Sequence, residues 1–479
     1  MTQTGAVDPN ANIAIVGAGP AGLSTAWFLS KHGFHNVTVL EKLGRIGGLC
    51  KSITVDGMSY DIGANYVTWA YKETLKIADE VGAATYAEKT NTSIDIAPDW
   101  SKFRYRSLLE AMLHDPPTCW AFLKALCVFL WAALRYLYIR WGLSGIIDAP
   151  NCFDTIDEHP ELCITFEKWL TDNDLMPLAT LFQFPITMMG YGQLGDIAAP
   201  YALRYMSLRT FFPMVFGVCP ISWFIGNWPR RFIDGFQRMW ERVSWRIDVR
   251  LNVNITKIAR SGSGIQIDME YPEQDLNNLK IVKDTKQYDY LVLACPLTED
   301  VFARLGLAPN AAEQKVIREI TFNRYCMTTF WIDMPKEKQP PAPGAAVIPL
   351  TAQGTPWAVV RQFQDDGNMF TQFYTWQADN QSDDNVIVQV KRLTSLLGGK
   401  IDTSQPRWHT FDKFTYFQHF TPEQMKKPGM IYRHLASMQS GDRTFYVGGA
   451  TDFELVEPIV VHSKYLVETH FAGGVKGAR

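Results

Sequence analysis

The residues best placed to do chemistry together are three glycines and an acid. Gly17, Gly19 and Gly22 stand in G-x-G-x-x-G spacing directly after the apolar run Ile13-Ala14-Ile15-Val16, and Glu41 ends a second run, Val37-Thr38-Val39-Leu40. Gly17 allows a tight turn, Gly19 lets a pyrophosphate approach the backbone, and Gly22 lets the following helix pack on the strand behind it. Pro20 and Ala21 open that helix, whose unpaired N–H groups and partial positive charge suit phosphate. Glu41, about 20 residues past the glycines, is positioned to accept ribose hydroxyls. The glycine spacing alone is a weak signal. A strand before it, a helix after it and an acid at the next strand end together predict a dinucleotide-binding unit.

The next residues narrow the ligand. Lys42-Leu43-Gly44-Arg45-Ile46-Gly47-Gly48-Leu49 resembles the E-x-x-x-R-x-G-G extension of the FAD-binding family that includes monoamine oxidases, phytoene desaturases and protoporphyrinogen oxidases. Tyr60-Asp61-Ile62-Gly63-Ala64, with Asn65 after it, resembles that family's segment beside the flavin ring. The resemblance implies FAD as cofactor and an amine-oxidase-like, two-domain α/β fold. In that fold a Rossmann-type FAD-binding domain is interleaved with an α+β substrate domain. It further implies that Lys42, Arg45, Gly47, Gly48 and Leu49 meet the phosphates and ribityl chain, and that the Ile255 backbone holds the adenine. Leu293-Ala294-Cys295-Pro296 is similar to the family's strand-end A-x-P, with Cys295 a small buried residue near FAD rather than a nucleophile. Gly448, Gly449 and Val460 belong to the strand, turn and helix that cap the flavin. Gly449 stands where the resemblance implies an acidic residue, so that either FAD is held more weakly or Asp452 substitutes.

These residues must be held by two domains, since 479 residues exceed the usual single-domain size. Residues 1–100, 231–318 and 441–479 are expected to build the FAD domain, and 101–230 and 319–440 the substrate domain. The composition, 47% hydrophobic and 20% charged, suits large cores, and a net charge of −3 argues against a nucleic-acid groove. The eight cysteines are scattered, without C-x-x-C or a histidine at ligand spacing. They predict a reducing, cytoplasmic setting and neither structural zinc nor any other metal site.

Two apolar stretches open a second question. Residues 120–147 are apolar but interrupted by Lys124, Arg135 and Arg140, leaving uncharged runs of only about ten residues where a bilayer span needs roughly 20. One reading is a packed helix whose cations snorkel to its edge. The other is an interfacial helix making peripheral membrane contact, with Trp120, Trp131 and Trp141 at the boundary. A second aromatic run, 211–228, is broken by Pro213, Gly217 and Pro220. Met- and aromatic-rich segments around Met189 and Tyr191 are by pattern ordinary core, but they resemble the lid-like substrate domain of this family, which implies a deep apolar pocket for a small lipophilic substrate, with Tyr191, Met189, Trp376 and Tyr374 as candidate lining and the first three as candidate catalytic residues.

Gly190-Tyr191-Gly192, the run Ala198-Ala199-Pro200-Tyr201-Ala202-Leu203-Arg204-Tyr205 and His462-Ser463-Lys464-Tyr465 look like bacterial polyunsaturated fatty acid isomerases. That resemblance implies hydride transfer to flavin N5 and back, without NADPH or metal. Two departures stand out. No arginine follows Gly82-Ala83-Ala84, where that family holds the substrate carboxylate, and Lys89 is the nearest cation; Met189 replaces an aromatic gate. Three readings stay open: an isomerase of an unsaturated lipid, an oxidase or desaturase passing electrons to O2 or a quinone, and a membrane-associated flavoprotein with structural FAD.

Overall fold

The computed structural model describes residues 7–473 except 56, 88–91, 97–100, 102, 108–112, 114–116, 218–228, 276–277, 334–343, 348–353, 364–367, 379 and 402–409. Lys89 and most of the second apolar run lie outside the described residues.

A five-stranded parallel sheet carries the dinucleotide motif. Its strands are β1 (Ile13–Val16), β2 (Val37–Leu40), β3 (Asp248–Arg250), β4 (Tyr290–Leu293) and β5 (Thr444–Tyr446), in the spatial order β5-β4-β1-β2-β3. All four residues of β1 are buried, as in a parallel strand covered on both faces. Helix α1 (Pro20–Lys31) follows β1, with Pro20 at its first position and Gly19 as an N-cap without a capping side chain. The loops at the carboxyl ends of β1, β2, β4 and β5 carry Gly17, Glu41, Ala294-Cys295 and Val447-Gly448, the edge where open α/β sheets bind ligands. An antiparallel sheet of Asn254–Ser261, Gly264–Asp275 and Asn278–Tyr288 precedes β4. The run 287–293, which reads as one strand in the sequence, is divided there: Tyr288 ends one sheet and Tyr290 starts the other.

A second large sheet centres on Thr321–Asp333, which pairs antiparallel with Asn368–Trp376 and Thr410–His419. Thr92–Ile96 joins it through a parallel pairing with Gly344–Val347. This strand therefore departs from the expectation for residues 1–100: it is hydrogen-bonded to the second sheet and not to the sheet of the glycine motif.

Helix α2 (Cys119–Gly142) is the single helix among the described residues long and apolar enough to cross a membrane. Its buried stripe, Phe129, Ala132, Ala133, Tyr136 and Arg140, follows helical spacing and packs on the protein body. The opposite face is open: Trp120, Trp131, Leu134, Tyr138 and Trp141 are each more than 60% exposed. The snorkelling expected of its cations holds for Lys124, which is exposed, and for Arg135, which is 40% exposed and meets the open Asp174 at 3.3 Å, but not for Arg140. Arg140 is fully buried, donating to the Leu203 carbonyl at 3.1 Å and paired with Asp148. Arg135 donates to the Asn173 carbonyl at 2.7 Å. These two cations anchor the helix instead of flanking a span.

Helix α3 (Val456–Leu466) closes the chain against α1; Ser463 Oγ donates to Ile459 and Ala21 carbonyls.

Candidate active site

One cavity of about 560 Å³ runs from the glycine loop to a wall of tyrosines. At the loop, a Cβ on Gly22 would lie 1.9 Å from the Gly17 carbonyl oxygen, so only glycine lets α1 pack this closely. A Cβ on Gly48 would lie 2.9 Å from the Gly19 Cα, so the two glycine turns face each other without side chains. Gly47 N donates to Ala18 O at 2.9 Å, and Arg45 Nη1 donates to Gly48 O at 2.8 Å. Gly47, Arg45 and Gly22 thus shape the turns from behind and do not line the cavity. Glu41 accepts from Ala18 N and Leu43 N, both at 2.8 Å, so this acid holds the glycine loop as well as bordering the cavity.

Gly17, Gly19, Pro20, Ala21, Glu41, Lys42, Gly48, Leu49, Gly63, Ala64, Asn65, Ile255, Cys295, Gly448 and Gly449 all border the cavity, as do Met189 and Tyr191. Gly63 is needed because a Cβ there would lie 1.7 Å from the Leu49 carbonyl oxygen. Burial, with Glu41 next in effect, pushes the Cys295 thiol up to about 12, so it stays protonated at neutral pH. Val460 lies outside the cavity: it is fully buried in the core shared with α1, while Leu455, Val456 and Ile459 turn toward the opening.

Trp376 is not part of the lining. It sits two residues further along the strand than Tyr374, pairing with Tyr325, and the turn at Gly192 and the Trp357 ring pack against it. Asp452 does not face the cavity either. It is 1% exposed and pairs with Arg204 Nη2 at 2.8 Å; Arg204 Nη1 also donates to the Ile147 and Ala149 carbonyls. The acid that does reach the cavity from this loop is Glu454, whose side chain packs where a Cβ on Gly449 would be.

The far wall is a connected set of rings. Tyr205, Tyr191, Tyr416, Tyr325 and Tyr374 stand in succession at centroid distances of 5.6, 5.4, 5.7 and 6.3 Å. Gly190, at φ +86°, makes room for Tyr325, whose ring would be 2.7 Å from a Cβ there. Asn65 Nδ2 donates to Tyr374 Oη at 2.7 Å, and Tyr191 Oη donates to the Glu454 carbonyl at 2.9 Å. Burial pushes the hydroxyls of all five tyrosines up, so they remain neutral. Tyr205, Tyr325, Tyr416 and Glu454 were not predicted as site residues. The first three are ordinary strand or helix aromatics by pattern, and only the tertiary pairing collects them.

The chain matches the model of the flavin containing amine oxidoreductase family over residues 20–454. It belongs to that family. Curated relatives match over short stretches only: a putrescine oxidase of Kocuria rosea is 39% identical over 95 residues, 20% of each chain. A polyenoic fatty acid isomerase of Ptilota filicina is 37% identical over 67 residues, 13% of each chain. Among solved structures, the CLA-producing fatty acid isomerase of P. acnes superposes with a TM-score of 0.78 at 21% identity, covering 97% of this chain and 100% of that one. Putrescine oxidase bound to putrescine superposes with a TM-score of 0.63 at 16% identity, covering 95% and 98%. These likenesses establish the two-domain flavoprotein fold. The cofactor of this family fits the site: the opposed glycines leave a cradle that side chains would fill, α1 opens uncapped toward it, and a carboxylate, Glu41, borders it at the end of β2.

Proposed function

We propose that this flavoprotein is an isomerase of a lipophilic unsaturated substrate, moving a double bond along a polyunsaturated, fatty-acid-like chain. The observation that carries the reading is one continuous cavity joining the cofactor cradle to a largely apolar, ring-lined end. Its charged lining residues are Glu41, Lys42 and Arg304 beside the cofactor loops, and Glu454. FAD, when bound, supplies the hydride acceptor and donor of such a shift, in which one C–H bond breaks, another forms in the same pentadiene and no net oxidation occurs. Tyr191, Tyr205, Tyr325, Tyr374 and Tyr416 orient the chain, exclude water and offer electron-rich but neutral rings to positive charge. Met189 supplies an adaptable apolar contact at the same end. The relatives that act on fatty acids support this substrate class.

A second reading is oxidation of a hydrophobic small molecule, with electrons passing to O2 or a quinone. Glu454 favours it, because a buried carboxylate can take a proton that a hydride shift does not release. For either reaction the open face of α2, rich in tryptophan, is proposed to rest on a lipid surface from which substrate enters.

Mixing the holoprotein anaerobically with a panel of polyunsaturated fatty acids, while following 450 nm and ultraviolet absorbance, tests the proposal. New conjugated-diene absorbance with the 450 nm band retained is expected. Bleaching that persists until air is admitted, with peroxide release, would replace isomerisation by oxidation.

A further inference from the structure

Glu454 stands out in the cavity because it has no counter-ion. It is 8% exposed, forms no salt bridge among the described residues, and its carboxylate accepts from the Gln418 backbone N–H at 2.8 Å, with the Phe417 N–H as a second donor. Phe417 is fully buried at φ +53°, a strained conformation for a non-glycine residue; it bends the strand Thr410–His419 where these two N–H groups meet the carboxylate. Gly449 leaves space for the Glu454 side chain, whose Cβ, Cγ and Cδ would each be 3.0 Å from an added Cβ. Arg204, the cation that meets this loop, is paired with Asp452, and Glu457 accepts from Thr74. The titratable groups left facing Glu454 are the Tyr191 and Tyr416 hydroxyls, both pushed up by burial first and by their neighbours second.

A purely structural role does not account for a carboxylate here. A glutamine would accept the same backbone hydrogen bonds without the desolvation cost of a charge. We propose that Glu454 is the charge-holding residue of the cavity, its carboxylate balancing positive charge on a bound lipophilic molecule. That charge is either the one that builds on a substrate carbon as hydride departs or a fixed ammonium. The inference rests on reading the tyrosine-walled end as the substrate site, and not on which reaction occurs there.

Binding of decylamine, decanol and decanoate to the holoprotein, measured by calorimetry and by perturbation of the flavin spectrum, separates the possibilities. At pH 8 decylamine is expected to bind at least about tenfold more tightly than decanol, as one tightly coupled buried charge pair would give. The advantage is expected to shrink as pH falls through about 7, the value to which burial raises the Glu454 carboxyl. E454Q should abolish the preference while leaving decanol affinity unchanged, which also shows that the variant is folded; E454D should restore part of it. Equal affinity of the native protein for amine and alcohol, or a preference retained in E454Q, overturns the proposal while leaving the cavity as the binding site. If none of the three ligands binds, the substrate-site reading fails and the proposal fails with it. Aldehyde and peroxide formed from bound decylamine would identify the charge as a substrate ammonium; binding without turnover would identify it as a mimic of the reacting carbon.

Discussion

Arg204 joins the two halves of the molecule, and removing its charge should be costly in a calculable way. Its guanidinium is 5% exposed and holds three partners: Asp452 at 2.8 Å in the loop that borders the cofactor cradle, and the Ile147 and Ala149 carbonyls at 2.7 and 2.8 Å. Among the described residues, the Asp452 carboxylate, 1% exposed, keeps only the Phe453 N–H at 2.6 Å if the arginine is lost. R204M therefore strands a buried carboxylate, a change that costs about 3–5 kcal/mol when one partner of a buried pair is removed. With an unfolding entropy of about 2.1 cal/mol/K per residue, a chain of 479 residues has ~1 kcal/mol/K. The expected fall in Tm is then ~3–5 °C for a single cooperative transition, measured by scanning calorimetry. The double variant R204M/D452L removes both charges and should recover most of the loss, because the cost lies in the unpaired ion and not in the missing attraction. Because the Asp452 loop runs from Gly448 to α3 along the cavity, R204M should also speed FAD release, followed by the rise of free-flavin fluorescence. An unchanged Tm in R204M, or a double variant as unstable as the single one, would refute this reasoning.

Three further outcomes are expected. Burial raises the Glu454 carboxyl from 4.5 to about 7, so the folded state holds a proton there that the unfolded chain has already lost. Stability should therefore drop as pH rises from about 4.5 to 7, by up to ~3 kcal/mol; E454Q should show a Tm advantage at pH 8 that fades by pH 5, and a pH-independent difference would contradict the assignment. G63A should yield protein without flavin, since its Cβ would sit 1.7 Å from the Leu49 carbonyl oxygen, whereas G145A, with open space around it, should be within about 0.5 kcal/mol of native stability and fully yellow. Replacing Trp120, Trp131 and Trp141 together by glutamine should leave Tm unchanged, because these side chains are 66–76% exposed, but should abolish co-sedimentation with phosphatidylcholine–phosphatidylglycerol vesicles; a native protein that stays in the supernatant would remove the lipid-surface reading.

The cofactor half was legible because its signals are local. Strand, glycine turn, helix, strand and acid occupy Ile13 to Glu41 without interruption, and Gly22 answers the close contact with the Gly17 carbonyl that the spacing anticipates. Glu41 carried more than the sequence reveals, since its bonds to Ala18 N and Leu43 N depend on how the two turns meet. The substrate end was only partly legible. Tyr191 and Tyr374 were within reach, but Tyr205, Tyr325 and Tyr416 arrive from a helix and two strands far apart in the chain, and nothing local distinguishes them from core aromatics. Trp376 shares a strand face with Tyr374, and a shift of two residues along the strand decides which lines the cavity. Asp452 and Glu454 are two residues apart in one loop. Which of them meets the cavity is decided by Arg204, a partner nearly 250 positions away. In α2 the apolar pattern gave the helix, while the burial of Arg140 depended on Leu203 and Asp148.

The central claim, a hydride that leaves and returns within one substrate molecule, is tested most directly by isotope tracing. The holoprotein would be given linoleate carrying deuterium at its doubly allylic carbon, in ordinary water under anaerobic conditions, and the product examined by mass spectrometry and NMR. Conjugated diene of unchanged mass, with one deuterium moved to a new carbon, is the predicted result. Product that has lost one deuterium and one hydrogen, three mass units in all, or deuterium exchanged for solvent protons, would contradict the account.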